Sequence, residues 1–293
     1  MAFCTSCGNQ IADQARFCPS CGTNLSGGTV GPPPPPVYEA PDSSPLDYTI
    51  QGDNLQIVRV KLKPNQELFA EAGKMLYKTA NVSWETRMGV GGQSLGEKIW
   101  GAIKRKAMGE SLFMTYFRTP TPGEVGFAGN YPGRIQAFDL PAGKSVLVQR
   151  DSFLAAQTSV QLNIAFVKKL GAGFFGGEGF ILEKLTGPGI VFIHGGGDFV
   201  EFDLGVGETI QVDTGCVVGF DETVNYDIQF VGSIKTAIFG GEGVFLATLT
   251  GPGKVIVQSL TLEKLRRELA PARTGGDERS PLGALGGIFS SED

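Results

Sequence analysis

Short segments of alternating or continuous apolar residues, bounded by Gly, Pro and Asp, follow one another between residues 47 and 260. Such segments are typical of β-strands, and their boundaries are typical of turns. We predict strands at 55–62, 135–140, 146–148, 190–193, 199–204 and 254–257. This succession of strands predicts an all-β fold.

Two glycine-rich motifs recur at one spacing. Gly-Gly-Glu-Gly begins at Gly176 and again at Gly240, and Thr-Gly-Pro-Gly begins at Thr186 and again at Thr250, in both cases 64 residues later. A degraded version of the pair lies around Glu110. Matching offsets indicate a duplicated structural unit. We therefore predict a body of three β copies with one fused core, spanning 47–128, 129–192 and 193–260, with an insertion at about 88–108 in the first copy.

The recurring motifs have a structural and a functional interpretation. Glu110, Glu178 and Glu242 occupy matching places in the three copies. We expect each carboxylate to accept backbone N–H groups in its glycine turn, and the alternative is that the three surround an axis and bind a cation or a basic partner. Thr-Gly-Pro-Gly is expected to be a hairpin turn, because Pro fixes φ at the first corner and Gly supplies positive φ at the second.

Four cysteines at the N-terminus, Cys4, Cys7, Cys18 and Cys21, form two Cys-x-x-Cys pairs. Such pairs place four thiolates at the corners of a tetrahedron, as in a zinc ribbon. We predict one structural Zn²⁺ in a domain at 1–26, with metal binding and folding as one event because few large apolar residues accompany the cysteines. An iron site and a disulfide pair are the alternatives. Four thiolates leave no open position on the metal, which argues against catalysis there.

Segments of different composition flank the β body. Residues 27–46 are rich in Gly, Ser and Pro and include the proline run 32–36, which predicts a semi-rigid linker. Residues 260–269 are predicted to form a helix with Leu262, Leu265 and Leu269 facing inward. The rest of the C-terminal segment 261–293 is rich in Gly and charged residues, and we predict a disordered tail.

Several motifs resemble a known family. The segments 47–50 (Asp-Tyr-Thr-Ile), 70–75 (Ala-Glu-Ala-Gly-Lys-Met) and 109–111 (Gly-Glu-Ser), with the two pairs of glycine motifs, are similar to the altered-inheritance-of-mitochondria family, a mitochondrial biogenesis family, over about 47–260. The resemblance implies a fold like that of the tryptophan RNA-binding attenuation protein, a short double-stranded β-helix or β-sandwich unit repeated three times. It also implies a homotrimer, and it brings no catalytic residues.

Residues suited to catalysis are few in this chain. His194 is its single histidine, and Gln258 occupies the equivalent place in the next copy, so we interpret His194 as a polar strand residue rather than a catalytic base. Cys216 lies in an apolar stretch, and we interpret it as a buried inert thiol rather than a nucleophile. We therefore predict that the protein is not an enzyme.

The insertion contains a basic amphipathic segment at 94–108, which we predict to be a short helix. Such a helix either docks on the β body or lies on an anionic membrane surface. The residues predicted to contact a membrane or a partner are Lys98, Trp100, Ile103, Lys104, Arg105 and Lys106.

Net charge and hydropathy narrow the range of functions that the sequence allows. A net charge of −5 opposes binding of nucleic acid. The sequence has neither a signal-peptide pattern nor a run near the ~20 apolar residues of a membrane span, so we predict a cytoplasmic protein. We expect a non-enzymatic, self-associating β scaffold that docks an unknown protein partner through its ribbon or tail. The alternative is a peripheral membrane-associated factor that uses 94–108.

Overall fold

The structure, a computed structural model, describes residues 2–4, 6–12, 15–23, 41–88, 113–168, 179–230 and 245–269. The chain divides into two units, Met1–Ala40 and Pro41–Asp293. The first unit contains an antiparallel pair of short strands, β1 (Ala2–Phe3) and β2 (Gln10–Ile11). The second unit, called the β body below, consists mainly of strands, which confirms the all-β prediction.

The β body begins with β3 (Asp47–Gln51) and continues with three sets of six strands. Set 1 comprises β4 (Ile57–Leu62), β5 (Glu67–Glu71), β6 (Met75–Lys78), β7 (Ser83–Met88), β8 (Phe113–Arg118) and β9 (Gly123–Ala128). Set 2 comprises β10 (Gly133–Leu140), β11 (Ser145–Gln149), β12 (Phe153–Gln157), β13 (Gln161–Lys168), β14 (Phe180–Thr186) and β15 (Gly189–Gly196). Set 3 comprises β16 (Phe199–Leu204), β17 (Thr209–Asp213), β18 (Val217–Asp221), β19 (Asn225–Phe230), β20 (Phe245–Thr250) and β21 (Gly253–Gln258).

One pairing scheme holds in all three sets. Within each set the first, sixth and third strands lie side by side in that order, and the second, fifth and fourth strands do the same. In set 1 these two orders are β4-β9-β6 and β5-β8-β7. The register also repeats, with the equivalent pairs Leu62–Gly123, Leu140–Gly189 and Leu204–Gly253. A bulge or irregularity recurs on the third strand of each set. The predicted copy boundary at residue 192 falls inside β15. The origin of the sets as three copies of a double-stranded β-helix unit stays a prediction.

Neighbouring sets are joined edge to edge. β5 of set 1 pairs antiparallel with β12 of set 2, and β11 of set 2 pairs antiparallel with β18 of set 3. These two junctions produce two six-stranded sheets, β10-β15-β12-β5-β8-β7 and β13-β14-β11-β18-β21-β16. β3 and the other strands of set 1 form a four-stranded sheet, β3-β4-β9-β6, and the other strands of set 3 form a three-stranded sheet, β17-β20-β19. β6 and β17 are therefore sheet edges.

The Thr-Gly-Pro-Gly turns are not hairpin turns, so that prediction is wrong. The first of them joins β14 to β15, which belong to different six-stranded sheets. Gly187 N–H donates to Lys144 O at 2.9 Å, and a Cβ at Gly187 would lie 2.3 Å from Leu140 O. A Cβ at the equivalent Gly251 would lie 2.3 Å from Gly205 O. Glycine is needed because the crossing between sheets passes directly against the turn that follows the first strand of the set.

Apolar packing continues across the junctions between sets. Three clusters of buried side chains fill the β body. Leu154 of set 2 lies in a cluster formed largely by set 1, and Val218 of set 3 lies in a cluster formed largely by set 2. Full burial of such a side chain contributes about 1.5–3 kcal/mol. The phenylalanines that are fully buried in these clusters are Phe69, Phe117, Phe127, Phe153, Phe180, Phe192 and Phe220.

Two segments at the ends of the β body differ from their predictions. Residues 41–46, assigned to the linker by composition, pack on the body: Leu46 is buried, and Gln66 Nε2 donates to Ser44 O at 2.9 Å. The C-terminal helix is present as α1 (Leu262–Leu269), but Leu269 is exposed, so its predicted inward orientation is wrong. Linker residues 27–40 and tail residues 270–293 lie outside the described residues.

Removal of a side chain that crosses a junction should destabilise the β body. Leu154→Ala is expected to lower the free energy of unfolding by about 2–5 kcal/mol, because it leaves a cavity at a fully buried position. Leu55→Ala is the matched control, since Leu55 is exposed, and it should change this free energy by less than about 0.5 kcal/mol. Urea denaturation of the full chain measures both, and equal losses would contradict the junction packing.

Candidate metal centre

The first unit brings the four predicted cysteines together. The Sγ atoms of Cys4, Cys7, Cys18 and Cys21 all lie within 4.8 Å of one another. Cys4 Sγ lies 3.6 Å from Cys21 Sγ, and Cys7 Sγ lies 3.7 Å from Cys18 Sγ. A tetrahedral zinc site with Zn–S bonds of ~2.3 Å requires sulfur–sulfur distances of about 3.8 Å. The cluster therefore fits one four-coordinate metal ion, with the cysteines as free thiols rather than disulfides.

The two Cys-x-x-Cys loops have the same local structure. Cys4 N–H donates to Asn9 O at 2.8 Å, and Cys18 N–H donates to Thr23 O at 2.8 Å. The glycine after each pair has positive φ, 72° at Gly8 and 74° at Gly22, which other residue types rarely adopt. Each loop thus turns tightly enough to present both of its sulfur atoms on one side.

Hydrogen bonds stabilise the thiolate form at two of the cysteines. The backbone N–H of Cys7 is the main cause of a lowered pKa at Cys4. The hydroxyl and backbone N–H of Thr23 lower the pKa of Cys21 to about 6. At Cys7 the backbone N–H of Asn9 lowers the pKa, but the neighbouring sulfur atoms and burial together raise it to about 12. A bound cation would remove this repulsion, because it stabilises all four thiolates at once.

His194 lies inside the β body. It pairs with Ile135, at the register position where Gln258 pairs with Phe199 in set 3. His194 is 2% exposed, and its ring meets the Tyr131 ring edge-on with 5.1 Å between centroids. Burial and, to a smaller extent, the charge of a nearby lysine lower the pKa of His194 to about 4. The imidazole is therefore neutral at pH 7 and enclosed by the fold.

Sequence reasoning missed the buried carboxyl group of Glu183. This residue on β14 is 0% exposed, and within the described part of the chain neither of its carboxylate oxygens has a hydrogen-bond partner. Burial and the nearby Glu71 raise the pKa of Glu183 to about 8, against the opposing charges of Arg150 and Lys74. The group is therefore protonated at neutral pH. An available signal was its place as the single acidic residue in the apolar strand Phe180–Thr186.

Of the other predicted site residues, the described part of the chain contains only Cys216. Cys216 is half-buried rather than buried, and Lys264 Nζ lies 3.9 Å from its Sγ. The matching carboxylates Glu110, Glu178 and Glu242 lie outside the described residues, as does the whole segment 94–108. Both interpretations of the carboxylates and both of the insertion stay predictions. Within the described ranges, no helix is both long enough and apolar enough to span a membrane.

Two family models match the chain. The model described as Mitochondrial biogenesis AIM24 matches residues 48–260, and a zinc-ribbon domain model matches residues 3–25. These matches confirm the resemblance that the motifs of the β body indicated and the ribbon that the cysteine spacing predicted. The finer resemblance to the tryptophan RNA-binding attenuation protein stays a prediction.

Similar proteins are found in Streptococcus pyogenes. An uncharacterised protein of that organism is 32% identical over 210 residues, which are 71% of this chain and 83% of that protein. A crystal structure of a protein from the same organism matches with a TM-score of 0.63 and 28% sequence identity, covering 76% of this chain and 98% of that one.

The ribbon should carry about one zinc ion per chain. We expect the purified full chain to contain zinc in that amount, and the Cys18→Ser/Cys21→Ser variant to contain almost none, because two of the four ligands are lost. Elemental analysis measures both. Thermal unfolding of the β body, which is a separate unit of the chain, checks that the rest of the variant is folded. Iron in the wild type would contradict the choice of metal, and no metal would contradict the site.

Glu183 should make stability depend on pH. Its pKa is about 8 in the folded chain against an ordinary value of 4.5. Because the folded pKa is the higher one, the favourable contribution is complete below about pH 4.5 and is lost as the pH rises towards 8.

Glu183→Gln isolates this effect, because the other titrating groups are common to both proteins. The free energy of unfolding should shift in favour of the Gln variant between pH 5 and pH 8, by at most about 1.4 kcal/mol per pH unit. Urea denaturation at several pH values measures the difference. A difference that does not change with pH would show that Glu183 is not a buried, protonated group.

Proposed function

This chain belongs to the family described as Mitochondrial biogenesis AIM24, and we propose that it is a non-enzymatic, self-associating β scaffold whose zinc ribbon docks a protein partner. The β body provides the rigid and self-associating part of the scaffold. The ribbon is a second unit of the chain and provides the recognition surface.

The observation that carries the proposal is an exposed pair of aromatic side chains on the ribbon. Phe3 is 62% exposed and Phe17 is 61% exposed. They precede Cys4 and Cys18, so they occupy matching places in the two metal-binding loops. Aromatic residues are enriched among the side chains that dominate protein–protein binding. Loops held by a metal ion present such side chains with little loss of conformational entropy on binding.

The placement of reactive side chains supports a non-catalytic role. A general base must come within hydrogen-bond reach of the proton that it removes. His194 and Glu183 are enclosed by the sheets of the β body, so a substrate would reach them only if the strands separated. The four cysteines would occupy all four positions of a tetrahedral ion, which would leave none for a substrate.

The remaining parts of the proposal concern partners and location. The family resemblance favours a homotrimer, and self-association is supported by β6 and β17, which are sheet edges among the described residues. The net charge of −5 disfavours binding to nucleic acid. A second protein contact through the C-terminal tail and a cytoplasmic location stay predictions from the sequence.

The alternative function is that of a peripheral membrane-associated factor. It depends on the basic amphipathic segment 94–108, which contains Trp100. A helix with basic residues and tryptophan can bind an anionic membrane surface. The segment lies outside the described residues, so the sequence pattern is its only support.

Docking through the ribbon can be tested with full-length chain as bait in extracts of its native cells. The Phe3→Ser/Phe17→Ser variant should capture at least tenfold less of a specific partner, because the exposed aromatic contact is lost. Val206→Ser is the matched control, since Val206 is an exposed apolar residue of the β body. Quantitative mass spectrometry measures the capture, and zinc content confirms that the ribbon is intact. Capture that is equal for all three proteins would contradict docking through the ribbon.

A further inference from the structure

We propose that β6 of one copy of this chain pairs with β17 of a second copy, so that copies associate head to tail through their β bodies. This inference rests on the self-association in the proposed function and identifies its surface. It comes from a comparison of two strands that are sheet edges with the equivalent strands that are paired.

β6 and β17 are the two strands left over by the junction scheme. A junction joins the second strand of one set to the third strand of the next, as β5 joins β12 and β11 joins β18. The second strand of set 3 is β17 and the third strand of set 1 is β6, and both are edges of their sheets. β6 is therefore a third strand with no second strand beside it, and β17 is a second strand with no third strand beside it.

Burial distinguishes the paired strands from these edges. Every residue of β12 is buried, and β18 is buried except at its last residue. In β6 the first two residues are exposed and the other two are half-buried. In β17 the residues are all exposed or half-buried. An exposed edge with apolar residues is a template for pairing with another chain.

Leu76 is the clearest apolar residue of the β6 edge. It lies at the irregularity of its strand, between Met75 and Tyr77, at the place that Leu154 and Val218 occupy in β12 and β18. Leu154 and Val218 are 0% exposed because each enters the core of the preceding set, whereas Leu76 is 57% exposed. Leu76 thus has the position of a core residue without the neighbouring set that would cover it.

Set 3 offers the matching apolar surface. Leu154 shares a cluster with Leu68 and Ala70 of β5. At the equivalent places on β17, Ile210 and Val212 are only partly buried against the cluster of set 3. A leucine from another copy would cover these two side chains in the way that Leu154 covers β5.

The two existing junctions specify the register of the proposed one. At the β5–β12 junction Ala155 pairs with Ala70 and Ala156 pairs with Phe69. The β11–β18 junction has the same register, with Gly219 opposite Val148. The equivalent pairs between β6 and β17 are Tyr77–Val212, Lys78–Gln211 and Thr79–Ile210.

The central pair of the proposed junction, Lys78–Gln211, explains why this junction joins two copies and does not form a fused core within one chain. Phe69 and Ala156 are buried and apolar at the first junction, as are Leu147 and Phe220 at the second. Lys78 and Gln211 are polar, which keeps both edges soluble in a free chain. Among the described residues neither edge has a strand of the same chain beside it, so the proposal takes the complementary strand from a second copy. Such a heterologous contact closes into a ring or continues as a filament, depending on the rotation between copies.

Sedimentation velocity of the full chain over a range of concentrations tests the proposal. We expect wild type to associate, and Leu76→Asp to weaken association more than about tenfold because a charge enters an apolar contact. Val200→Asp is the matched control, since Val200 is an exposed apolar residue on another strand, and it should associate like wild type. Circular dichroism verifies that each variant is folded.

Substitutions that change the charge of the pair Lys78–Gln211 test the proposed register. Gln211→Lys should weaken association by up to about fivefold through repulsion of Lys78, and Gln211→Glu should strengthen it by a similar factor. A mixture of Lys78→Glu chains with Gln211→Lys chains should associate more strongly than either variant alone, because only a contact between copies joins the two altered edges.

Two other outcomes overturn the proposal in different ways. Association of wild type that is unaffected by Leu76→Asp and Gln211→Lys would reject this interface and leave self-association in the proposed function intact. A wild-type chain that is monomeric at every concentration would reject both, and edges that close within one chain would give this result.

Discussion

Backbone hydrogen bonding at strand edges is the constraint on which the β body depends. A strand in the interior must give its N–H and C=O groups a partner, because an unpaired buried group costs free energy comparable to a lost hydrogen bond. Sets 1 and 2 meet this requirement through β5 and β12, and sets 2 and 3 meet it through β11 and β18. Leu154 and Val218 can cross between sets because the strands that carry them are paired there. Backbone pairing and apolar packing therefore stabilise the same contacts, and both are missing where β6 and β17 are sheet edges.

The sets lie close together, and this also explains why the pKa of a buried acidic residue is shifted. Glu183 of set 2 is near enough to Glu71 of set 1 for the two to influence each other's charge, and Lys74 Nζ lies 3.2 Å from Glu71 Oε2. A buried carboxylate is costly unless it is paired, and the cost is avoided when the group takes up a proton. For Glu183, whose pKa is raised to about 8, protonation resolves the conflict at neutral pH. Strongly shifted pKa values are common at catalytic sites, and the causes of the shift at Glu183 are burial and the nearby charge of Glu71.

The ribbon and the β body are stabilised by different means. The body buries a large apolar core, whereas the ribbon leaves Phe3 and Phe17 exposed and brings four cysteine sulfur atoms together as a metal site requires. This difference separates two tasks in the proposed scaffold. In that proposal the exposed aromatic side chains of the ribbon contact a protein partner, and the strand edges of the β body contact another copy.

Local features of this protein were determined by the sequence alone. Alternating or continuous apolar residues predicted six of the strands, thiol spacing predicted the ribbon and the cysteines that come together in it, and the glycine motifs indicated the family, because each depends mainly on short segments of the chain. Tertiary structure decided the features that depend on which strands meet. Thr186–Gly189 has the composition of a hairpin turn, yet it crosses between sheets because β14 and β15 find partners elsewhere. The apolar strand around Glu183 gave a local signal of its burial, but the exposure of Leu76 had none. Leu76 and Leu154 occupy equivalent strand positions and differ only in whether a neighbouring set covers them.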